Sequence, residues 1–286
     1  MTKFLVAILI LFAASSAHVS AEIIALQSDR LAFNYRVDDL ADANSGNVDL
    51  SYRGRDYGVS EAWFLSVDGT TTELTGGSVA DGADVAADEK VWTVVHNDLS
   101  FQINFFAYDE SEFGPYRGAS LAMNVSLFNN SSTRTVSGAL TNYGDNSIET
   151  LDNGSLVAST DIPDTSLFTS QEDAIGLATY TSKRWNASTL VGGTSVGTPA
   201  SGWAMGPISD GLLASIRSGN SLGTSPGQDI FGTDVTGAAQ WEFNLAPGTG
   251  IEIQSDLSVF VRNVPEPGGL AILAMFGMLT SCRRRK

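Results

Sequence analysis

Apolar and polar residues alternate with a period of two through much of the chain. In SFQINFFAY, Phe101, Ile103 and Phe105 fall on one side while Gln102 and Asn104 take the other. In ASLAMNVSLF, Leu121, Met123, Val125 and Leu127 alternate with Ala122, Asn124 and Ser126, and in IEIQSDLSVFV the apolar Ile251, Ile253, Leu257, Val259 and Val261 all hold odd positions. Successive side chains of a strand point to opposite faces, so this pattern predicts half-buried antiparallel strands. Clusters of Gly, Asn, Asp and Ser delimit further strands at Ile23 to Leu26, Leu31 to Val37, Ala62 to Val67, Val91 to His96, Arg134 to Leu140, Ala174 to Tyr180 and Gln240 to Leu245. Helical spacing is confined to Asp210 to Arg217.

Many short strands with turn-rich connections and no recurring helix predict an all-β fold, an antiparallel β-sandwich. Jelly-roll-like and immunoglobulin-like topologies fit the pattern equally well. One domain is expected over residues 22–262. Within it, residues 181–234 are rich in Gly, Ser and Thr and weakly patterned, so they are expected to be long loops on the same sandwich or a soft boundary. Trp63, Trp92 and Trp241 lie inside strand patterns and are expected in the core, whereas Trp185 and Trp203 lie in the loop-rich stretch and are candidates for stacking on sugar rings.

Charge narrows the partners. The chain has 16 basic and 32 acidic residues in 286. Lys3, Arg283, Arg284, Arg285 and Lys286 lie in the two ends, which leaves 11 basic residues against all 32 acidic ones in residues 22–267, a net of −21. Such a surface repels phosphate backbones and anionic headgroups, which argues against nucleic acid as a partner. The single cysteine, Cys282, is in the tail, so the body can hold neither a disulfide nor a Cys-ligated metal.

The two ends differ from the body. MTKFLVAILILFAASSAHVSA has a positive start at Lys3, an apolar run from Phe4 to Ala14 and a small-residue site, Val19-Ser20-Ala21, which reads as a signal peptide (residues 1–21) cut by signal peptidase after Ala21, with Ala17 as second choice. At the other end, residues 268–282 run fifteen positions without a charge. As a helix this is about 22 Å long at ~1.5 Å per residue, short of a hydrocarbon core of ~30 Å. Arg283, Arg284, Arg285 and Lys286 can snorkel to the headgroups and hold that end in the cytoplasm. Pro265 and Pro267 lack backbone donors and bias Val264 and Glu266 to extended geometry, a form that a protease can read.

Pro265-Glu266-Pro267, a short apolar helix and a terminal basic cluster, together spanning residues 263–286, resemble the PEP-CTERM sorting tail. The resemblance covers about 23 residues. It implies recognition by an exosortase, a multipass membrane enzyme, with transient anchoring in the inner membrane of a Gram-negative-type bacterium. It further implies delivery to the cell surface, outer envelope or extracellular matrix, with extracellular polysaccharide as the associated partner. No LPxTG-type motif precedes the helix, and Leu245-Ala246-Pro247-Gly248-Thr249-Gly250 reads as a turn before a strand.

Catalytic signatures fail individually. Gly193-Thr194-Ser195-Val196-Gly197 matches G-x-S-x-G, but a nucleophile elbow needs a following helix and a downstream His, and the one His beyond the leader, His96, lies upstream. His96 closes an apolar strand and reads as a capping or surface residue. Asp81, Asp84 and Asp88 form an acidic cluster that is a Ca²⁺ candidate without the EF-hand spacing. Asp145-Asn146 and Asp152-Asn153-Gly154 have turn chemistry. No catalytic residue and no resident cofactor are expected, and the leading expectation is a structural or glycan-associated binding module. Two rivals are a secreted polysaccharide hydrolase using a carboxylate pair and a Ca²⁺-dependent adhesin.

Overall fold

The structure is a computed structural model. It describes residues 23–262 apart from 29–30, 39, 42–46, 53–54, 83–88, 114–115, 147–154, 160–165, 173–178, 192–193, 198–199, 208–210, 224–228 and 232–234. In chain order the first strands are β1 (Ile23–Gln27), β2 (Leu31–Arg36), β3 (Val48–Tyr52), β4 (Arg55–Val67), β5 (Thr70–Glu73) and β6 (Ser78–Asp81). Next come β7 (Glu89–His96), β8 (Leu99–Phe113), β9 (Tyr116–Asn129), β10 (Val136–Asn146), β11 (Ser155–Ser159) and β12 (Ser166–Glu172). The remainder are β13 (Thr179–Val191), β14 (Thr194–Gly197), β15 (Gly202–Pro207), the helix α1 (Leu212–Arg217), β16 (Asp229–Phe231), β17 (Val235–Leu245) and β18 (Gly250–Arg262).

These strands form two antiparallel sheets, one ordered β1-β2-β3-β4-β10-β17-β15 and the other β16-β11-β12-β13-β18-β9-β8-β7-β6. In the first, β3 pairs with the start of β4 and β5 with its end; in the second, β14 pairs with the end of β13. The sheets stack as a sandwich, and the apolar alternation is the reason. Ile24, Phe33, Tyr35, Trp63, Leu65, Leu140 and Trp241 of the first sheet meet Trp92, Phe101, Ile103, Phe105, Leu121, Val125, Ile253 and Leu257 of the second in one core. Aromatic pairs bridge the layers: Tyr35 meets Trp92 edge-on at 5.7 Å, Phe33 lies 6.1 Å from Phe105, and Trp63 lies 5.7 Å from Phe101.

Residues 181–234 contain strands of both sheets, contrary to the expectation of loops or a boundary. β13 pairs along its length with β18, and β15 pairs with β17. Neither β13 (Thr-Tyr-Thr-Ser-Lys-Arg-Trp-Asn-Ala-Ser-Thr-Leu-Val) nor β15 (Gly-Trp-Ala-Met-Gly-Pro) alternates cleanly between apolar and polar, while the backbone completes the ladders. Asp145 and Asn146, expected in a turn, instead lie in β10, where Asp145 is opposite Ser60 and Thr236. The expected strand from Ala174 to Tyr180 falls mostly outside the described residues, which resume at the start of β13.

The chain crosses between sheets at β5–β6, β9–β10, β10–β11, β14–β15, β15–β16, β16–β17 and β17–β18. Asn129 ties two of these crossings together. It is fully buried; its Nδ2 donates to the carbonyls of Arg134 (2.8 Å) and Leu245 (2.9 Å), and its Oδ1 accepts from the Ser131 N–H (3.0 Å). Its backbone N–H donates to Thr249 O, and its carbonyl accepts from Gly248 N–H in the turn after β17. The segment 245–250 is therefore a turn, as its sequence implies.

Candidate functional site

The two outward faces of the sandwich differ. On the first sheet, Ala62, Phe64, Tyr143 and Ala238 point outward and are covered by Leu213 and Ile216 of α1 and by Leu222. Glu73 anchors this cover: its Oε2 accepts from Nη2 (2.7 Å) and Nε (3.0 Å) of Arg217, and its Oε1 accepts from the Ala41 N–H (2.6 Å). Arg217 Nη2 also donates to Ala41 O. The segment after α1 closes on β15, where Trp203 N–H donates to Gly223 O and a Cβ at Gly202 would stand 2.2 Å from Leu222 O, so only glycine fits there.

On the outward face of the second sheet, β8, β9 and β18 present a mostly polar array. Asn104, Asn124 and Gln254 are directly opposite one another across β8, β9 and β18, and the next row carries Gln102, Ser126 and Glu252. Asn124, Glu252 and Gln254 are exposed, while Gln102 and Asn104 are half-buried and joined by a 2.8 Å hydrogen bond from Gln102 Nε2 to Asn104 Oδ1. Two aromatic side chains stand on the same face, Phe128 beyond one end of these rows and Tyr108 beyond the other, each 42% exposed. These exposures mark the part of the face around Asn124, Phe128 and Gln254 as uncovered by the described residues, whereas Ser120, opposite Tyr108, is fully buried.

Two buried carboxylates of neighbouring strands, Glu61 and Asp145, lie on opposite faces of the first sheet. Glu61 shares the inward face of β4 with Trp63 and Leu65; its Oε1 accepts from Asn142 Nδ2 (2.7 Å), and its backbone exchanges hydrogen bonds with the Asn47 amide. Asp145, on the neighbouring β10, has the opposite phase and lies outward in line with Tyr143. The sheet separates the two, so they cannot flank one glycosidic bond. Tyr35, buried between the layers, is held well above its ordinary pKa of 10.0, first by burial and then by the negative charges of Glu61 and Glu73.

The sequence candidates are placed as follows. Asp81 ends β6 and pairs with Lys90, whose hydrogen bond and charge lower its pKa; Asp84 and Asp88 lie outside the described residues. No group of three or more His, Cys, Asp or Glu side chains gathers as a metal site among the described residues. Trp203 is half-buried in β15 opposite Ala239, on the inward phase, and Trp185 occupies the register position opposite Ser255 in β13. Trp63, Trp92 and Trp241 are buried in the core, as their strand positions imply. Thr194 to Gly197 form the return strand of a hairpin with β13, with no helix in the elbow position. His96 is half-buried at the β7–β8 turn. Ala21, Pro265, Glu266, Pro267, the apolar run and Arg283 to Lys286 lie outside the described residues, and no helix among those described is long and apolar enough to cross a membrane.

The class defined by these features is an antiparallel β-sandwich with one face capped by a helix and the other presenting amides and aromatic rings. No family model matches the chain, and no curated protein matches it. Among solved structures, a putative aldose 1-epimerase from Klebsiella pneumoniae subsp. pneumoniae MGH 78578 is similar at 10% identity and a TM-score of 0.31, over 79% of this chain and 67% of that one. A likeness at that level transfers neither residues nor chemistry, so function must be argued from this chain's own side chains.

Proposed function

We propose that the protein is an exported, non-enzymatic β-sandwich that is held briefly in the inner membrane by residues 268–282. In this proposal it is processed at Pro265-Glu266-Pro267 by an exosortase-type enzyme and delivered to the cell surface or extracellular matrix. There it serves as a structural or glycan-associated binding module. The observation that carries this reading is the ordered run of Pro-Glu-Pro, uncharged segment and Arg283 to Lys286 in a chain that also has a signal-peptide pattern. The exposed amides of β9 and β18, Asn124 and Gln254, support the binding role. Deleting residues 265–286 is expected to abolish surface retention while leaving the thermal unfolding of the body unchanged. Unchanged surface localisation of that deletion contradicts the sorting claim.

A further inference from the structure

We propose that the β8–β9–β18 part of the outward face of the second sheet is a binding surface for a neutral polysaccharide, with Gln102, Asn104, Asn124 and Gln254 as its hydrogen-bonding lattice and Phe128 and Tyr108 as stacking positions. The inference rests on the matrix-associated reading above and assigns it a site. Three amides stand in a straight row across β8, β9 and β18, spaced ~4.8 Å from strand to strand, with the Gln102 row ~6.6 Å away along the strands. Each amide offers a carbonyl acceptor and two N–H donors at one tip. That combination matches neighbouring sugar hydroxyls, each of which both donates and accepts. Phe128 and Tyr108 project from the same face, eight strand positions apart, a span of about 27 Å. Their exposed rings suit the apolar C–H faces of sugar rings; between them lie the two amide rows and a further row of Phe106, Ala122 and Asp256.

Charge selects the class of glycan. The body carries a net of −21 over residues 22–267, a field that repels polyuronates and nucleic acids. The two amide rows bear one charged side chain among their described positions, Glu252. Uncharged ligands approach such a strip without the repulsion that the rest of the surface imposes on polyanions.

The test is affinity electrophoresis of the full chain purified from its host, through gels containing hydroxyethyl cellulose, soluble mannan or polygalacturonate. Retardation by at least one neutral polymer and none by polygalacturonate is expected. The triple variant Asn104→Ala, Asn124→Ala, Gln254→Ala should bind at least tenfold more weakly, while Glu242→Ala on the other sheet binds as wild type. Should the triple variant fail to fold, Phe128→Ala with Tyr108→Ala is expected to show the same loss. Equal retardation of wild type and folded variants, retardation by polygalacturonate alone, no retardation by either neutral polymer, or a concentration-dependent dimer dissolved by the triple variant each overturns the proposal. Intact mass of the same preparation separates the two claims. A chain processed near Pro267 that ignores neutral glycans leaves sorting standing and removes this site, whereas an unprocessed chain that binds them through the amide row does the reverse.

Discussion

Asn129 shows what one buried polar side chain does in this sandwich. Its amide satisfies the carbonyls of Arg134, just before β10, and of Leu245, at the end of β17, positions at which the sheet ladders no longer supply donors. Asn129→Leu keeps the size but strands those carbonyls, and is expected to lower stability by about 2–4 kcal/mol in denaturant unfolding; a loss within error contradicts the role. Tyr35 gives a pH signature. Its folded pKa exceeds its unfolded value of 10.0, so the folded state holds the proton more tightly and stability falls as pH rises above about 10. Below that pH the contribution is constant. Tyr35→Phe is expected to raise the pH of alkaline unfolding, measured by circular dichroism between pH 8 and 12. An unchanged or lowered midpoint contradicts this. At this scale the sequence was informative about the three core tryptophans, since strand phase alone predicts their burial. It was silent about Asn129, whose neighbours Asn130 and Ser131 look equally polar.

At the scale of elements, α1 is a six-residue helix whose N-cap, Gly211, makes no side-chain capping bond, so it owes its position to tertiary contacts. The Glu73 carboxylate supplies the polar part. Glu73→Ala is expected to reduce stability by about 1.5–3 kcal/mol and to speed hydrogen exchange in α1 more than in β9 or β18. Uniform exchange across all three elements contradicts a local latch. Gly202→Ala acts on the same cover from the other side, because its Cβ would displace the Leu222 carbonyl. Strands were legible in the sequence where one face is core and the other is solvent, as in β8, β9 and β18. They were illegible where both faces are polar or small. β5 has the residues Thr-Thr-Thr-Glu, and its one signal is the Asp68-Gly69 turn, in which both residues take positive φ as a two-residue hairpin requires. The second half of β10 reads as polar because Asn142 serves Glu61 on one face and Thr141 serves Gln240 on the other. The candidate surface was half visible. Gln102, Asn104 and Asn124 are the off-phase residues of recognisable strands, but their alignment into one row with Gln254 depends on register across three strands that are not all consecutive in sequence.

For the whole molecule, binding is proposed for the sandwich and sorting for the two ends. Among the described residues the sandwich has an aromatic core, one outward face covered in part by α1, and exposed amides on β9 and β18 of the other. In the proposed function the ends determine where that surface is displayed. The most direct test of this central claim is the intact mass of the protein released from the surface of its native host. A mass beginning at Glu22 and ending near Pro267, without the apolar run and the basic cluster, is the predicted result. A mass that retains the sequence through Lys286 contradicts it and makes residues 268–286 a plain anchor.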